Sequence, residues 1–585
     1  VLSHPRDGAG GRRHLIRVER ERDGTLRLAG EPLEAHADSL LALLDDAARR
    51  APRRAFLIER DARDVWHEVS FATMAARSWR VGAALRALGA SEDRPVMILS
   101  GNGIDHAMVT FGALRAGIPV VPVAASLGLS ADDGFARLRA IAELVRPGVV
   151  FARDGMAYAA AAHAISGSGA AYVCVTEPPA GVRAFDYARL LTHAPLVPDA
   201  VAVSGETVAK VMLTTGSDGE LRGVVTTHAM ICAMLQGIAQ WWTFLDDHPP
   251  VIVDALPWSG AFGGNVVLGI VLRHAGTLYV DEGGSSADRS ERAARLRADV
   301  PPTIAFDVPF GWAAWADRLR GDDALRQRWL SRLDRACWSG ATLSAATRDA
   351  LRAISVPLAS VWGSVETAGA LALTDGVDPK YDAAGTPLAG VELKLIPRGD
   401  AYEARVRGAQ VTNGYWWRPD LTAAAFDDEG FYRVGDLVRP LDARVPERGL
   451  ELVGRVDDRF KRSSGGWVRA GALRERFLAE CSDAAEVLVT GDGGEEIGLL
   501  VWPADDAILL ERDVLRAQIA AAMRRVAAGD PSSGSPRRAL IAREPLGSHE
   551  RDECGALARR AVLASRAALV GRLHASEPDA EVIVV

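Results

Sequence analysis

Met212-Leu213-Thr214-Thr215-Gly216-Ser217-Asp218-Gly219-Glu220-Leu221-Arg222-Gly223-Val224-Val225 lies in the first half of a 585-residue chain. Residues 210–214 read as a strand, 216–223 as a loop and 227 onward as a helix. Glycines let backbone N–H groups turn toward an anion, and the hydroxyls of Thr214, Thr215 and Ser217 add donors beside Gly216 and Gly219. Arg222, just beyond, brings charge that neutralises phosphate. The spacing is not that of a Walker loop. Taken alone, such a segment is more often a plain Gly-rich turn than a phosphate cradle.

Working outward, residues 38–50 have apolar positions at helical spacing, with Asp38 as the expected N-cap, and 71–88 reads likewise. Short apolar runs at 95–99, 119–123, 149–151 and 172–175 read as buried strands between helices. That alternation predicts parallel sheets with helices on their faces. After about residue 390 the pattern changes to half-exposed alternation at 391–396 and 403–407, with turns at Gly408 and Asn413-Gly414. Strand candidates at 486–490 and 497–502 and a helical tail at 557–573 follow. The expected architecture is a large α/β domain to about Val453, then a small α+β domain.

Hydrophobic residues make up 48% of the chain and charged residues 25%, the composition of a globular protein with a sizeable core. The net charge of −8 argues against a general nucleic-acid binder. The five cysteines form no CxxC pair and their number is odd, which fits neither a disulfide framework nor a zinc site and suits a reducing cytoplasm. Residues 1–22 are Arg-rich without an apolar segment and do not read as a secretory signal. No stretch approaches the ~20 apolar residues of a membrane span.

Downstream stand Trp362-Gly363-Ser364-Val365-Glu366-Thr367, Val434-Gly435-Asp436 and Gly454-Arg455-Val456-Asp457-Asp458. In this order, together with 212–225, they resemble the adenylate-forming superfamily of acyl-CoA synthetases, luciferases and peptide-synthetase adenylation domains. The resemblance implies a large AMP-binding domain over 1–453, a hinge over 454–458 centred on Asp457, and a small mobile domain over 459–585. It implies ATP, Mg²⁺ and coenzyme A. Trp362 would stack on adenine and Glu366 would hold the Mg²⁺ that bridges the phosphates. Asp436 would clasp the ribose hydroxyls beside Arg455, and Lys461 matches the Lys that follows the hinge.

Within the superfamily, Leu256-Pro257-Trp258-Ser259-Gly260-Ala261-Phe262-Gly263-Gly264-Asn265 looks like the LPWxHxFGGN segment of feruloyl-CoA synthetases. Thr412-Asn413-Gly414-Tyr415-Trp416, Asp428-Glu429-Gly430-Phe431-Tyr432-Arg433 and 460–468 continue that likeness. It implies a planar aryl acid as substrate, in a pocket of Trp258, Phe262, Gly263, Gly264, Trp338, Ser339 and Gly340. For Trp258 and Trp338 singly, core packing explains the residue equally well. The implied reaction makes an acyl-AMP and then a coenzyme A thioester, in a monomer or homodimer with neither nucleic-acid nor membrane partners.

The chain also departs from the family pattern. Asp218 replaces a hydroxyl in the phosphate loop, and Val365 replaces a Thr that bonds the α-phosphate. Gly260 replaces the pocket His, and Cys554 falls where a C-terminal Lys reaches the α-phosphate. A thiol does not substitute for an ammonium. Three readings follow: a working or weakened aryl-acid ligase, a pseudoenzyme that binds nucleotide or acyl-CoA, and an adenylating enzyme with another acceptor. At ~4 Å and an effective dielectric of ~20, a carboxylate beside a phosphate charge costs about 4 kcal/mol, or roughly a thousandfold in affinity. Either Mg²⁺ bridges Asp218 to the phosphates, or the side chain turns away, or triphosphate binding is impaired. With the ribose clasp kept and the phosphate face altered, the expectation is that AMP binds more tightly than Mg·ATP in calorimetric titration. Equal or tighter ATP binding would remove the claim that Asp218 repels phosphate.

Overall fold

The computed structural model describes residues 15–61, 63–129, 131, 134–196, 201–216, 219–281, 295–340, 343–375, 383–463, 467–504, 507–508, 511–529, 535–547, 550–551 and 557–585. Two compact units form. The first comprises Val1–Thr214, Arg222–Val434 and Arg439–Leu452; the second comprises Thr215–Leu221, Gly435–Val438 and Val453–Val585.

In the first unit, a seven-stranded sheet runs in the order Leu221–Thr227, Val208–Thr215, Val120–Pro122, Val96–Ile98, Val149–Ala152, Ala171–Cys174, Ala184–Asp186. From Val208–Thr215 onward these strands pair in parallel. The central strands are buried along their whole length, as parallel strands covered on both faces must be. The expected strands at 95–99, 119–123, 149–151 and 172–175 are these.

A fifteen-stranded mixed sheet carries the rest of the unit. Ala55–Arg60, Thr277–Val280, Val251–Asp254, Ile304–Asp307, Arg335–Trp338 and Leu358–Trp362 form its parallel part. The half-exposed strands expected after residue 390 are Glu392–Arg398 and Ala401–Arg407, paired antiparallel in unbroken register.

The helix Leu40–Arg50 is capped by Ser39, whose Oγ accepts from the Ala42 N–H, and not by Asp38. The helix Phe71–Leu88 begins at Ser70 and ends at Gly89, whose φ of +106° closes it in the left-handed region. A larger difference concerns residues 221–223, expected as loop. They open the strand Leu221–Thr227, because a distant segment supplies its partners. The Trp416 N–H donates to Gly223 O (2.7 Å) and the Val225 N–H to Gly414 O (3.1 Å).

In the second unit, Ala484–Thr490, Ile497–Pro503, Pro536–Ile541 and Ile583–Val584 make a four-stranded sheet. Its core includes Leu473, Phe477, Val487, Leu499, Ile519 and Met523. The tail expected as one helix is two, Arg559–Ser565 and Ala567–Leu573, interrupted at Arg566. The Arg566 guanidinium grips the fully buried Glu550 carboxylate through both oxygens, at 2.8 and 2.9 Å.

That pair sets an acid limit on stability. Burial pushes the Glu550 carboxyl up, but Arg566, Ser565 and the Gly547 N–H together hold it down at about 2. The stabilisation is complete above the ordinary glutamate value and is lost as pH falls toward 2. Glu550→Gln removes the buried counter-charge of Arg566 and leaves it the exposed Glu544 carboxylate. Unfolding by urea should show a loss of roughly 3 kcal/mol at pH 7, and a shallower acid limb.

Candidate active site

The strand Leu358–Trp362 ends on a buried indole, 4% exposed. The chain then turns through Gly363 and Ser364 into a single helical turn, Val365–Thr367. The Thr367 hydroxyl accepts from the Ser364 N–H (2.9 Å) and fixes that turn. Val365 packs on an apolar cluster of Met212, Val224, Ala261 and Tyr415. Glu366 points inward, 8% exposed, and its Oε1 accepts from the Tyr415 hydroxyl (3.3 Å). The Tyr415 and Tyr432 hydroxyls lie 3.3 Å apart.

The Arg222 guanidinium sits 5.6 Å from the Tyr415 ring centre. Glu366 and Arg222, 144 residues apart in sequence, thus meet around one phenol. Burial, then the Glu366 charge, pushes the Tyr415 hydroxyl up to about 12 and Tyr432 well above the ordinary tyrosine value. Both remain protonated donors at neutral pH. Nothing local to either tyrosine marks it for this role, although both lie in the motif segments 412–416 and 428–433.

The segment 256–265 is held from below. Asn102, 4% exposed, donates to Leu256 O (2.7 Å) and accepts from the Trp258 N–H (2.9 Å). His106 meets the Trp258 ring edge-on at 5.1 Å. Trp258 is 2% exposed, and Phe262 packs edge-on against Phe306. Residues Phe262–Val267 form a π-helical turn, a form frequent at functional sites.

A Cβ at Gly263 would fall 2.8 Å from Leu256 O and Pro257 O, and one at Gly264 2.3 Å from Trp258 O. Both glycines therefore let this segment fold back on its own backbone. At Gly260, among the described residues, only Pro257 O lies near, at 3.4 Å, so that position has room for a side chain. Trp338 packs in a core with Trp312, Trp315 and Trp329, Ser339 is buried, and Gly340 is exposed with φ +88°.

In the second unit the phosphate-loop backbone closes on itself. The Gly216 N–H donates to Glu220 O (3.0 Å), and Gly219, at φ +81°, donates to Gly216 O (2.8 Å). Ser217, Asp218 and Cys554 lie outside the described residues. Thr214 ends the first unit's part of its strand and Thr215 opens the second unit.

Asp436 and Arg455 come together as an ion pair at 2.7 Å. Gly435, at φ +80°, permits it: a Cβ there would stand 3.0 Å from Arg455 Nη2. Asp457 is paired with Arg560 at 2.5 Å. Lys461 is exposed on the short strand Arg459–Lys461. Among the described residues no cluster of three His, Cys, Asp or Glu is placed to hold a metal.

Comparison with known proteins adds four findings. A family model described as AMP-binding enzyme matches residues 44–416. "2-hydroxy-7-methoxy-5-methyl-1-naphthoate--CoA ligase" of Streptomyces carzinostaticus is 27% identical over 502 residues, 80% of this chain and 84% of that protein. "Phenyloxazoline synthase MbtB" of Mycobacterium sp. (strain MCS) is 29% identical over 377 residues, 58% of this chain and 30% of that protein, so the match spans under a third of that relative. The crystal structure of ATP-bound MatB from Rhodopseudomonas palustris superposes with a TM-score of 0.69 at 20% identity, covering 91% of this chain and all of that one. This last likeness establishes the α/β fold.

Burial of His106 lowers its pKa to about 4. Below the ordinary histidine value near 6.5 the unfolded chain takes a proton that the folded chain refuses. The contribution to stability is therefore complete above pH ~6.5 and falls away toward pH ~4. His106→Gln should reduce the pH slope of unfolding free energy in that window by about one proton, as read from urea titrations at several pH values.

Proposed function

The chain belongs to the AMP-binding enzyme family, and we propose that it uses ATP to activate an aryl carboxylic acid and passes the acyl group to coenzyme A. The observation that carries this reading is the convergence of Arg222 and Glu366 on Tyr415, with Asp436 and Arg455 paired in the second unit. A basic group and a carboxylate at one place suit a Mg·triphosphate. A carboxylate beside a guanidinium suits a ribose diol.

In the first half-reaction a substrate carboxylate oxygen attacks the α-phosphorus of ATP. The bond from that phosphorus to the bridging oxygen breaks and pyrophosphate leaves. The proposed roles are positional and electrostatic. Arg222 balances phosphate charge, Trp362 borders adenine, and Asp436 and Arg455 orient the ribose. Thr214, Thr215, Gly216, Ser217 and Gly219 are the proposed phosphate-loop contacts. Glu366, held by Tyr415, would be a protein ligand to Mg²⁺, with the remaining oxygens coming from phosphates and water. The ion would supply Lewis-acid charge stabilisation.

In the second half-reaction the coenzyme A sulfur, its proton lost, attacks the acyl carbon and AMP leaves. We assign the hinge to 454–458 and the mobile domain to 459–585, with Asp457 as pivot and Lys461 just beyond it. Hydroxycinnamates such as ferulate are the proposed acids, on the likeness of 256–265 to the feruloyl segment. The naphthoate CoA ligase among the relatives has a name consistent with an aryl acid. A monomer or homodimer in the cytoplasm is the proposed setting; among the described residues no helix is long and apolar enough to cross a membrane.

A second reading, weakened adenylation or an acceptor other than coenzyme A, is favoured by Val365. Its side chain is committed to an apolar cluster and offers no hydroxyl to a phosphate. One measurement tests the acid and a second separates the readings. Pyrophosphate release across an acid panel should favour hydroxycinnamates over long-chain fatty acids; the opposite order removes the aryl-acid assignment. Supplied feruloyl-AMP plus coenzyme A should give thioester faster than acid plus ATP gives adenylate. Cys554→Lys should raise only the adenylation rate, by roughly tenfold to a hundredfold, the worth of one charge-assisted contact. Brisk adenylation by the unmodified protein, unchanged by Cys554→Lys, rules out the assigned role of position 554.

A further inference from the structure

Lys210 is 4% exposed on the strand Val208–Thr215, four residues before Thr214. Burying an ammonium is costly unless it is well bonded. Its Nζ donates to Gly264 O (2.7 Å) and to Asn265 Oδ1 (3.0 Å), both within the π-helical turn Phe262–Val267. Asn265, 1% exposed, continues the chain of bonds, its Nδ2 donating to Ala368 O (3.3 Å). Ala368, at φ +57°, ends the turn that carries Val365 and Glu366.

Packing follows the same line. A Cβ at Gly369 would stand 3.0 Å from Ala261 O and 2.8 Å from Val266 Cγ2, so the Glu366 turn rests directly on the π-helical segment. Two residues along the Lys210 strand, Met212 packs in the cluster that holds Val365, Ala261 and Tyr415. One side chain on the phosphate-loop strand therefore ties down the proposed acid-pocket segment and, through Asn265, the turn that bears Glu366.

We propose that Lys210 is a positioning residue that fixes the pocket segment and the Glu366 turn at one separation, so that acid and triphosphate meet in line. This rests on the ligase reading for its catalytic consequence, while the brace stands on the hydrogen bonds alone. The groups facing Lys210 from neighbouring helices, His106 and His228, are both held near 4 by burial and are neutral at pH 7. They do not compete for its bonds as charges. Burial also draws Lys210 itself down to about 7. Protonated or neutral, the amine has enough N–H groups for two acceptors.

The test uses the full chain with Lys210→Met, which keeps the length and removes the donors. Lys210→Arg keeps charge and donors, and Asn265→Leu cuts the second link and serves if Lys210→Met does not fold. In hydrogen exchange, Lys210→Met and Asn265→Leu should each speed exchange of 260–268 and 364–369 by tenfold or more, roughly the loss of one local closing interaction. The helix Phe71–Leu88 should stay at wild-type rates. In pyrophosphate release, kcat should fall roughly tenfold to a hundredfold, the scale of a small misplacement of reacting groups. KM for the acid should rise more than KM for ATP, and Lys210→Arg should recover part of the loss. Unchanged exchange in 260–268 and 364–369 overturns the brace. Faster exchange with kcat and acid KM within twofold of wild type overturns the positioning role. If the unmodified protein releases no pyrophosphate with any acid, the ligase reading fails, and the exchange result still decides the brace.

Discussion

Thr412 joins three segments on which the site depends. Its N–H donates to Glu366 O at 2.7 Å, and its hydroxyl donates to Val225 O at 2.6 Å while accepting from the Gly414 N–H. At 2% exposure these bonds have no competing water, so each has to be made within the protein. They hold the strand that follows the phosphate loop, the turn that carries Glu366 and the segment that carries Tyr415 at one place. The Arg222, Glu366 and Tyr415 grouping follows from that junction.

Around it the chain avoids side-chain volume where backbones must meet. Gly263, Gly264, Gly363 and Gly369 each face a carbonyl at 3.0 Å or less from where a Cβ would be. These contacts let 256–265 and 363–369 lie backbone against backbone. The polar groups buried beneath them, Asn102, Lys210 and Asn265, satisfy carbonyls that such folding strips of water. Close approach and polar satisfaction are here two sides of one constraint. The mixed composition of the segment, glycine beside tryptophan and asparagine, follows from it.

The sequence was most legible where local physics decides. The apolar runs at 96–98, 120–122, 149–152 and 171–174 are buried parallel strands because their residues leave no polar face. The helix at 71–88 follows from Ser70 and Gly89 at its ends. Elsewhere a remote partner overrides the local pattern. Residues 221–223 look like a glycine-rich loop until 414–416 supply hydrogen bonds. The tail at 557–573 looks like one helix until Glu550 captures Arg566. Asp38 and Ser39 are both good caps by type, and only the backbone at Ser39 brings an oxygen to the Ala42 N–H.

For the site the same division holds. Sequence alone placed Arg222, Glu366, Asp436 and Arg455 in ordered motifs, because residue type and order along the chain are one-dimensional facts. It also determined the α/β class, because alternation of buried strands with helices is local. Only the tertiary structure decided that Tyr415 lies between Arg222 and Glu366, and that Val365 faces an apolar cluster. The tertiary structure likewise decided that Gly263 and Gly264 face backbone, and that Lys210 reaches Gly264 and Asn265. Each of these is a contact between residues far apart in the chain or a direction of a side chain. Periodicity and spacing encode neither, because the free energy that selects such contacts comes from burial and pairing in three dimensions.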